Sequence, residues 1–192
     1  MSLERGFKAW SERVAQSLRE DLKLTPEAPM PARLLAGHLD IILMTPSQID
    51  DLPADILRQL AVVDPTGWHA LSFEIQGVRT IIYNDRSSAR RQSSDISHEL
   101  AHIIRAHEPS QLLFSETNDF AMRSYDPKQE DEANWLGWAL LLPRPALIRC
   151  MDQRMSNDAI AAEYEVSEQL VEFRKRMTGV SKQVQMRRGP RT

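Results

Sequence analysis

The stretch His98-Glu99-Leu100-Ala101-His102 constrains this chain more than any other part of it. On a helix, side chains four apart share a face, with Cβ atoms about 5–6 Å apart. Two imidazoles so placed can converge on one metal ion, at Zn–N contacts of about 2.0–2.1 Å. Glu99 sits one position round from the first of them. There a carboxylate can take a proton from a metal-bound water whose pKa the ion has lowered toward about 7. The pattern H-E-x-x-H is a general metalloprotease signature. Ile96, Leu100, Ile103 and Ile104 offer an apolar face to bury the helix, which leaves His98 and His102 toward a cleft. The competing reading, a surface helix with solvated histidines, is decided by what lies downstream.

Composition narrows the setting. The single cysteine, Cys150, excludes an internal disulfide framework and any multi-cysteine zinc site. No apolar run approaches the roughly 18–20 residues that cross a bilayer. The opening "MSLERGFKAWSERVAQSLRE" carries charges throughout and no apolar signal-peptide centre. A cytoplasmic, reduced setting with no membrane partner is the expectation. The net charge of −3 hides an asymmetry. After Glu172 come Arg174, Lys175, Arg176, Lys182, Arg187, Arg188 and Arg191, with no acidic residue. Such a run suits a solvated, disordered terminus, or contact with nucleic acid or an acidic partner.

Hydrophobic periodicity gives a mixed α and β pattern. Leu3, Phe7, Trp10, Val14, Leu18 and Leu22 recur at helical spacing. "LTPEAPMP" breaks that helix, "ARLLAGHL" makes a short one leading into an extended "DIILM", and "ADILRQLAVV" makes another after Pro53. Leu71, Phe73 and Ile75 alternate with polar residues, Gln76-Gly77 can turn, and Val78 to Tyr83 return rich in β-branched residues. This predicts a hairpin. Ser93, Ser94 and Asp95 offer N-cap oxygens for the motif helix. A helix over 130–142 stops at the prolines Pro143 and Pro145, and two further helices follow, with Ser167 as the N-cap of the second.

A catalytic zinc needs a third protein ligand and an open position. His107, five residues past His102, is about 140° further round by helix geometry and a poor ligand. It reads as a polar residue near the helix end. His38 and His69 have no partnered spacing. The third ligand is expected from Glu130, Asp131 or Glu132, at the start of the later helix.

"DISHELAHIIRAH", followed 28 residues after His102 by "EDEANWLGWALLLPR", resembles the ImmA/IrrE family of metallopeptidases. The strand "GVRTIIYND" resembles the one that family places before its active-site helix. The resemblance covers roughly residues 68–144 and implies His98, His102 and Glu130 as metal ligands, with Glu99 as general base. Glu130, Ala133, Asn134 and Gly137 share one helical face, whose small residues let the two helices approach closely. Asn134, one turn from Glu130, can orient a ligating histidine. Glu132 is the alternative ligand. Leu136-Gly137 stands where the family often has Phe-Ala, and both fit the same packing role. Trp135 and Trp138 read as core. Tyr83, Arg123 and Tyr125 are near the motifs as candidate oxyanion stabilisers, and the strand 78–83 as a border of the cleft.

The expected fold class is therefore α+β. A mostly helical zincin-like metallopeptidase domain spans 1–150, with a small antiparallel sheet beside the motif helix. A helix-turn-helix-like pair follows over 151–180, then a basic, flexible tail over 181–192. The resemblance implies a Zn2+ enzyme (Mn2+ or Fe2+ suit the same ligands) that cleaves a partner helix-turn-helix transcriptional repressor and relieves repression in stress responses or mobile elements. The alternative is a metal-binding sensor or interaction module, such as a toxin–antitoxin or transcription-regulator partner, with little proteolysis. Glu168 and Glu172 on the last helix argue against direct DNA binding, leaving the basic tail as its only route.

Overall fold

The computed structural model describes residues 3–50, 52–64, 66–107, 112–114, 121–123 and 126–188. An amphipathic helix α1 (Phe7–Asp21) opens the fold, burying Phe7, Ser11, Ala15 and Arg19 at successive turns. After the proline-rich break come α2 (Ala32–His38), β1 (Ile42–Met44) and α3 (Ala54–Arg58), which runs on as a π-helical turn over Gln59–Val63. The predicted hairpin forms as β2 (Ala70–Ile75) and β3 (Val78–Tyr83), paired antiparallel from Ala70↔Tyr83 to Ile75↔Val78. Gln76 and Gly77 both have positive φ, 53° and 81°. A two-residue turn matched to the strand twist requires this, and glycine meets it without strain at the second position.

β1 lies parallel to β3, so the sheet order is β1-β3-β2 and the sheet is mixed. The expected small sheet is antiparallel at its hairpin and gains a parallel strand, and the bordering role of strand 78–83 is corrected. β3 is the central strand, paired on both sides, and its Ile81 is fully buried. β2 is the edge. Among the described residues a second small pair, β4 (Leu112–Phe114) with β5 (Ala121–Arg123), is also present.

The motif helix α4 (Ala89–Arg105) begins earlier than expected. Ser88, rather than Ser93 to Asp95, is its N-cap, its hydroxyl accepting from Arg91 N at 3.3 Å. Ser93 and Asp95 instead lie buried within the helix. α5 (Pro127–Leu141) starts on Asp126, whose carboxylate accepts from the Lys128 and Gln129 backbone. Then follow α6 (Arg144–Asp152), α7 (Asn157–Glu163), α8 (Glu168–Thr178, capped by Ser167) and α9 (Val180–Arg188).

α4 and α5 pack face to face, and α5 forms the axis of the core. Ala133, Leu136, Ala139 and Leu142 are all fully buried. A Cβ on Gly137 would come within 3.1 Å of Ser97 O on α4, and the Ser97 hydroxyl donates to Gly137 O at 3.0 Å. The absent side chain sets the separation of the two helices. Gly137→Ala must push α4 backbone away by a few tenths of an ångström, a strain of about 1–3 kcal/mol. It should lower the urea midpoint and weaken metal retention together, because it shifts the helices that carry the two halves of the candidate site. Unchanged values for both would remove Gly137 from that role.

Two buried arginines finish α5. Arg19 donates from one guanidinium to Ala28 O (2.9 Å), Ala15 O (2.9 Å) and Leu140 O (2.7 Å), and burial lowers its pKa to about 10. Arg174 of α8 donates to Leu142 O (3.1 Å) and pairs with Glu12 (2.5 Å). These satisfy the last carbonyls that a helix leaves without intrahelical partners. They also tie α1, α5 and α8 together, and buried Ile160, Val171 and Val180 belong to the same hydrophobic cluster as Leu35 and Leu100.

Residues 181–188 of the expected flexible tail are helical instead. They belong to α9, which begins at Val180, and Val180 and Val184 are buried. The basic run after Glu172 is not uniformly solvated either, since Arg174 is wholly buried in an ion pair. Among the described residues, no helix is long and apolar enough to cross a membrane.

Candidate metal centre

α4 presents His98 and His102 one turn apart, and α5 brings Glu130 against them. His98 Nε2 lies 3.1 Å from Glu130 Oε2, His102 Nε2 3.6 Å from Glu130 Oε1, and the two Nε2 atoms 3.1 Å from each other. All the donor atoms fall within 4.8 Å of one another, as ligands of a single ion must. Two imidazole nitrogens and a carboxylate oxygen are the donor set of a catalytic zinc with an open position. The three side chains fit a divalent cation, and the chemistry does not choose which one.

The electrostatics suit it. The paired imidazoles hold the Glu130 carboxyl far below the ordinary range, against its partial burial. Burial pulls His98 down, but Glu130, Glu99 and a hydrogen bond to Asn134, whose amide oxygen accepts from the ring, outweigh it, so its pKa lies above the ordinary 6.5. The pairing of His98 with Glu130 favours a proton held between them over one on a free imidazole, and metal must displace any proton held there. Apparent metal affinity should therefore fall on acidification from above pH 6.5, by about tenfold per pH unit for each proton displaced. Competition against a chromophoric chelator across pH 5.5–8 measures this, and a flat profile over that range would contradict the shared proton.

Glu99 is almost wholly buried and anchored to the sheet edge. Its Oε2 accepts from Ser72 N at 3.0 Å and from the Ser72 hydroxyl at 2.5 Å. His69 O accepts from Asn84 N, so alternate residues of β2 bond to β3 and Ser72 faces the outer edge. A cleft of about 570 Å³ opens over the cluster, lined by His98, Glu99, Glu130, Asn134, Trp138 and His69 among others.

Glu132, the alternative ligand, is corrected. It is buried on the other side of α5, accepting from Arg105 Nε at 2.8 Å and lying 3.3 Å from His107 Nε2. Asn134 reaches His98, as the spacing suggested. Trp135 is core, whereas Trp138 is half-buried, lines the cleft and meets Phe173 edge-on at 4.8 Å. Tyr83 is corrected as well: it lies beneath the Arg33 guanidinium, 4.5 Å from the ring centre, and does not line the cleft. Tyr125 lies outside the described residues, as does the side chain of Arg123.

The sequence alone set His69 and His107 aside and did not single out Ser72. His69 stands at the rim, its Nδ1 3.9 Å from Asp95, a carboxyl whose pKa burial raises against Arg91. Ser72 gave no signal beyond its place in an alternating strand. His107 packs edge-on against His102.

A family model described as the IrrE N-terminal-like domain, a peptidase family, matches residues 62–176. The chain belongs to the ImmA/IrrE family. No curated protein compared with it is similar enough to match. The ImmA/IrrE match runs from the π-helical turn through most of α8. It therefore takes in the edge strand, the metal cluster and the first two C-terminal helices, and it makes this a metallopeptidase-type chain.

Proposed function

We propose that the protein is a zinc-dependent endopeptidase that cleaves a partner helix-turn-helix transcriptional repressor and so relieves repression. The observation that carries the peptidase reading is the position of Glu99. A carboxylate stands beside a two-histidine, one-carboxylate centre in an open cleft, and a purely structural site has no use for a base there. A divalent ion held by His98, His102 and Glu130 would supply Lewis acidity to polarise a scissile carbonyl and to lower the pKa of water. Glu99 accepts a proton and returns it to the leaving amine. The outer edge of β2, where Ala70 lines the cleft and Ser72 faces Glu99, suits an extended substrate added as a further strand. His69 lines the same cleft and is the candidate donor for a developing oxyanion.

The repressor follows from the family resemblance. α7 and α8 support packing rather than DNA reading: Arg174 is buried, Lys175 is bonded to Asn157, and Glu168 and Glu172 are exposed. One observation favours the second reading, a metal-binding regulatory module with little proteolysis. Glu99 Oε2 is already engaged by Ser72, so the base must be released or shared during a reaction. The deciding experiment compares new protein N-termini in host extract after addition of the zinc-loaded protein or its Glu99→Gln form. Termini that appear only with the intact carboxylate identify both the activity and the substrate, whereas identical sets would count against a peptidase.

A further inference from the structure

His102 is in contact with more than the cluster. α4 ends at Arg105, and Ala106 takes a left-handed conformation with φ 52°. The chain turns back there, with His107 N bonded to His102 O at 3.1 Å. That reversal swings the His107 ring against the far side of His102, where the two Nδ1 atoms are 3.0 Å apart. On its other edge His107 Nε2 meets Glu132 Oε2 at 3.3 Å, and the same oxygen accepts from Arg105 Nε at 2.8 Å. The His107 and Glu132 side chains are only 7% and 3% exposed, so water does not compete for these bonds.

The bonds have one consistent direction. A guanidinium only donates, so Glu132 Oε2 is an acceptor and its carboxylate is the anion. His107 Nε2 must then carry the proton it donates to Glu132, and in the neutral ring that leaves His107 Nδ1 as an acceptor. His102 Nδ1 must carry the proton on its side, and His102 Nε2 is left with a lone pair directed at His98 and Glu130. We infer that His107, Glu132 and Arg105 form a relay that holds His102 in the one tautomer and orientation that can ligate a metal.

The relay extends to the N-terminal helix. The Arg105 guanidinium stacks over Phe7 (5.5 Å to the ring centre) and Trp10 (5.1 Å) of α1. His107 and Glu132 are positioning residues, acting through His102. Groups of this kind are worth about 10–100-fold in metal affinity.

The inference rests on the metal centre of the proposed function, and its test does not require proteolysis. Zinc affinity of the full chain is measured by competition with a chromophoric chelator, beside proton NMR of the zinc-loaded protein. His107→Phe keeps a ring of similar size without nitrogens and should lose 10–100-fold in zinc affinity. The slowly exchanging His102 Nδ1–H resonance should disappear with it. His107→Gln can accept through Oε1 and donate through Nε2, so it should stay within about threefold of the parent and keep the resonance. Should His107→Phe not fold, Glu132→Gln takes its place, with a weaker but measurable loss of zinc. Parental affinity in folded His107→Phe would overturn the relay. So would equal losses in Phe and Gln variants that both retain the resonance, because shape alone would then explain them. Tight zinc with no cleavage of any protein would sink the peptidase reading and leave the relay standing.

Discussion

Glu99→Gln should abolish cleavage while leaving the metal and the fold in place. The amide retains an oxygen that can accept from Ser72 N and from its hydroxyl, which are the bonds that anchor Glu99 to the sheet edge. The buried side chain keeps its size, and the donor set of His98, His102 and Glu130 is untouched. What disappears is the ability to take a proton from water. A positioned general base contributes about 10²–10⁴-fold, so the rate should fall by at least that lower figure. The measurement is kcat/KM on the identified substrate, with zinc content and melting temperature determined on the same sample. A variant that keeps both zinc and full activity would remove Glu99 from the mechanism. One that loses zinc would show a structural role for the carboxylate.

The second large effect is on stability, at a residue remote from the cluster. Arg174→Met removes a guanidinium that is wholly buried and paired with Glu12. Breaking a buried ion pair from one side typically costs about 3–5 kcal/mol, because the partner charge is left behind. Glu12 keeps one bond, from Arg144 N at 2.8 Å, so the expected cost is near 3 kcal/mol. Leu142 O at the end of α5 loses its donor as well. The urea midpoint should drop with little change in slope, and Arg176→Met, at an exposed position of the same helix, should move it by no more than about 0.5 kcal/mol. Zinc affinity of the folded Arg174→Met protein should be unchanged, since Glu130 lies at the other end of α5. Equal effects at positions 174 and 176 would mean that the basic run acts as one solvated surface.

Much of the centre was legible because its geometry is local. Four-residue spacing on a helix places His98 and His102 together whatever the rest of the chain does. An acidic residue heading a helix of small residues at Ala133 and Gly137 identifies a helix able to come close. The hairpin was legible from its alternation and the Gln76-Gly77 turn. The parallel pairing of β1 was not, since three residues carry too little pattern to announce a partner 38 positions away, as Ile42 is from Thr80.

His107 was misplaced for a definite reason. Counting 100° per residue assumes that the helix continues, and α4 stops two residues earlier, at Arg105, with Ala106 in a left-handed turn that alanine does not mark. Glu132 was read from its direction on α5 alone, and Arg174 from its neighbours in the chain. Each acquired its role from a partner on another element: His107 with Arg105, and Glu12. The sequence by itself determined that His98 and His102 share one helical face with Glu99 beside them, and that a later helix opens on carboxylates, because covalent spacing within a helix dictates these placements. Only the tertiary structure decided which strand edges the cleft, which buried charges are paired, and what stands behind His102. Those depend on contacts between distant segments, where burial turns a polar side chain into a specific bond.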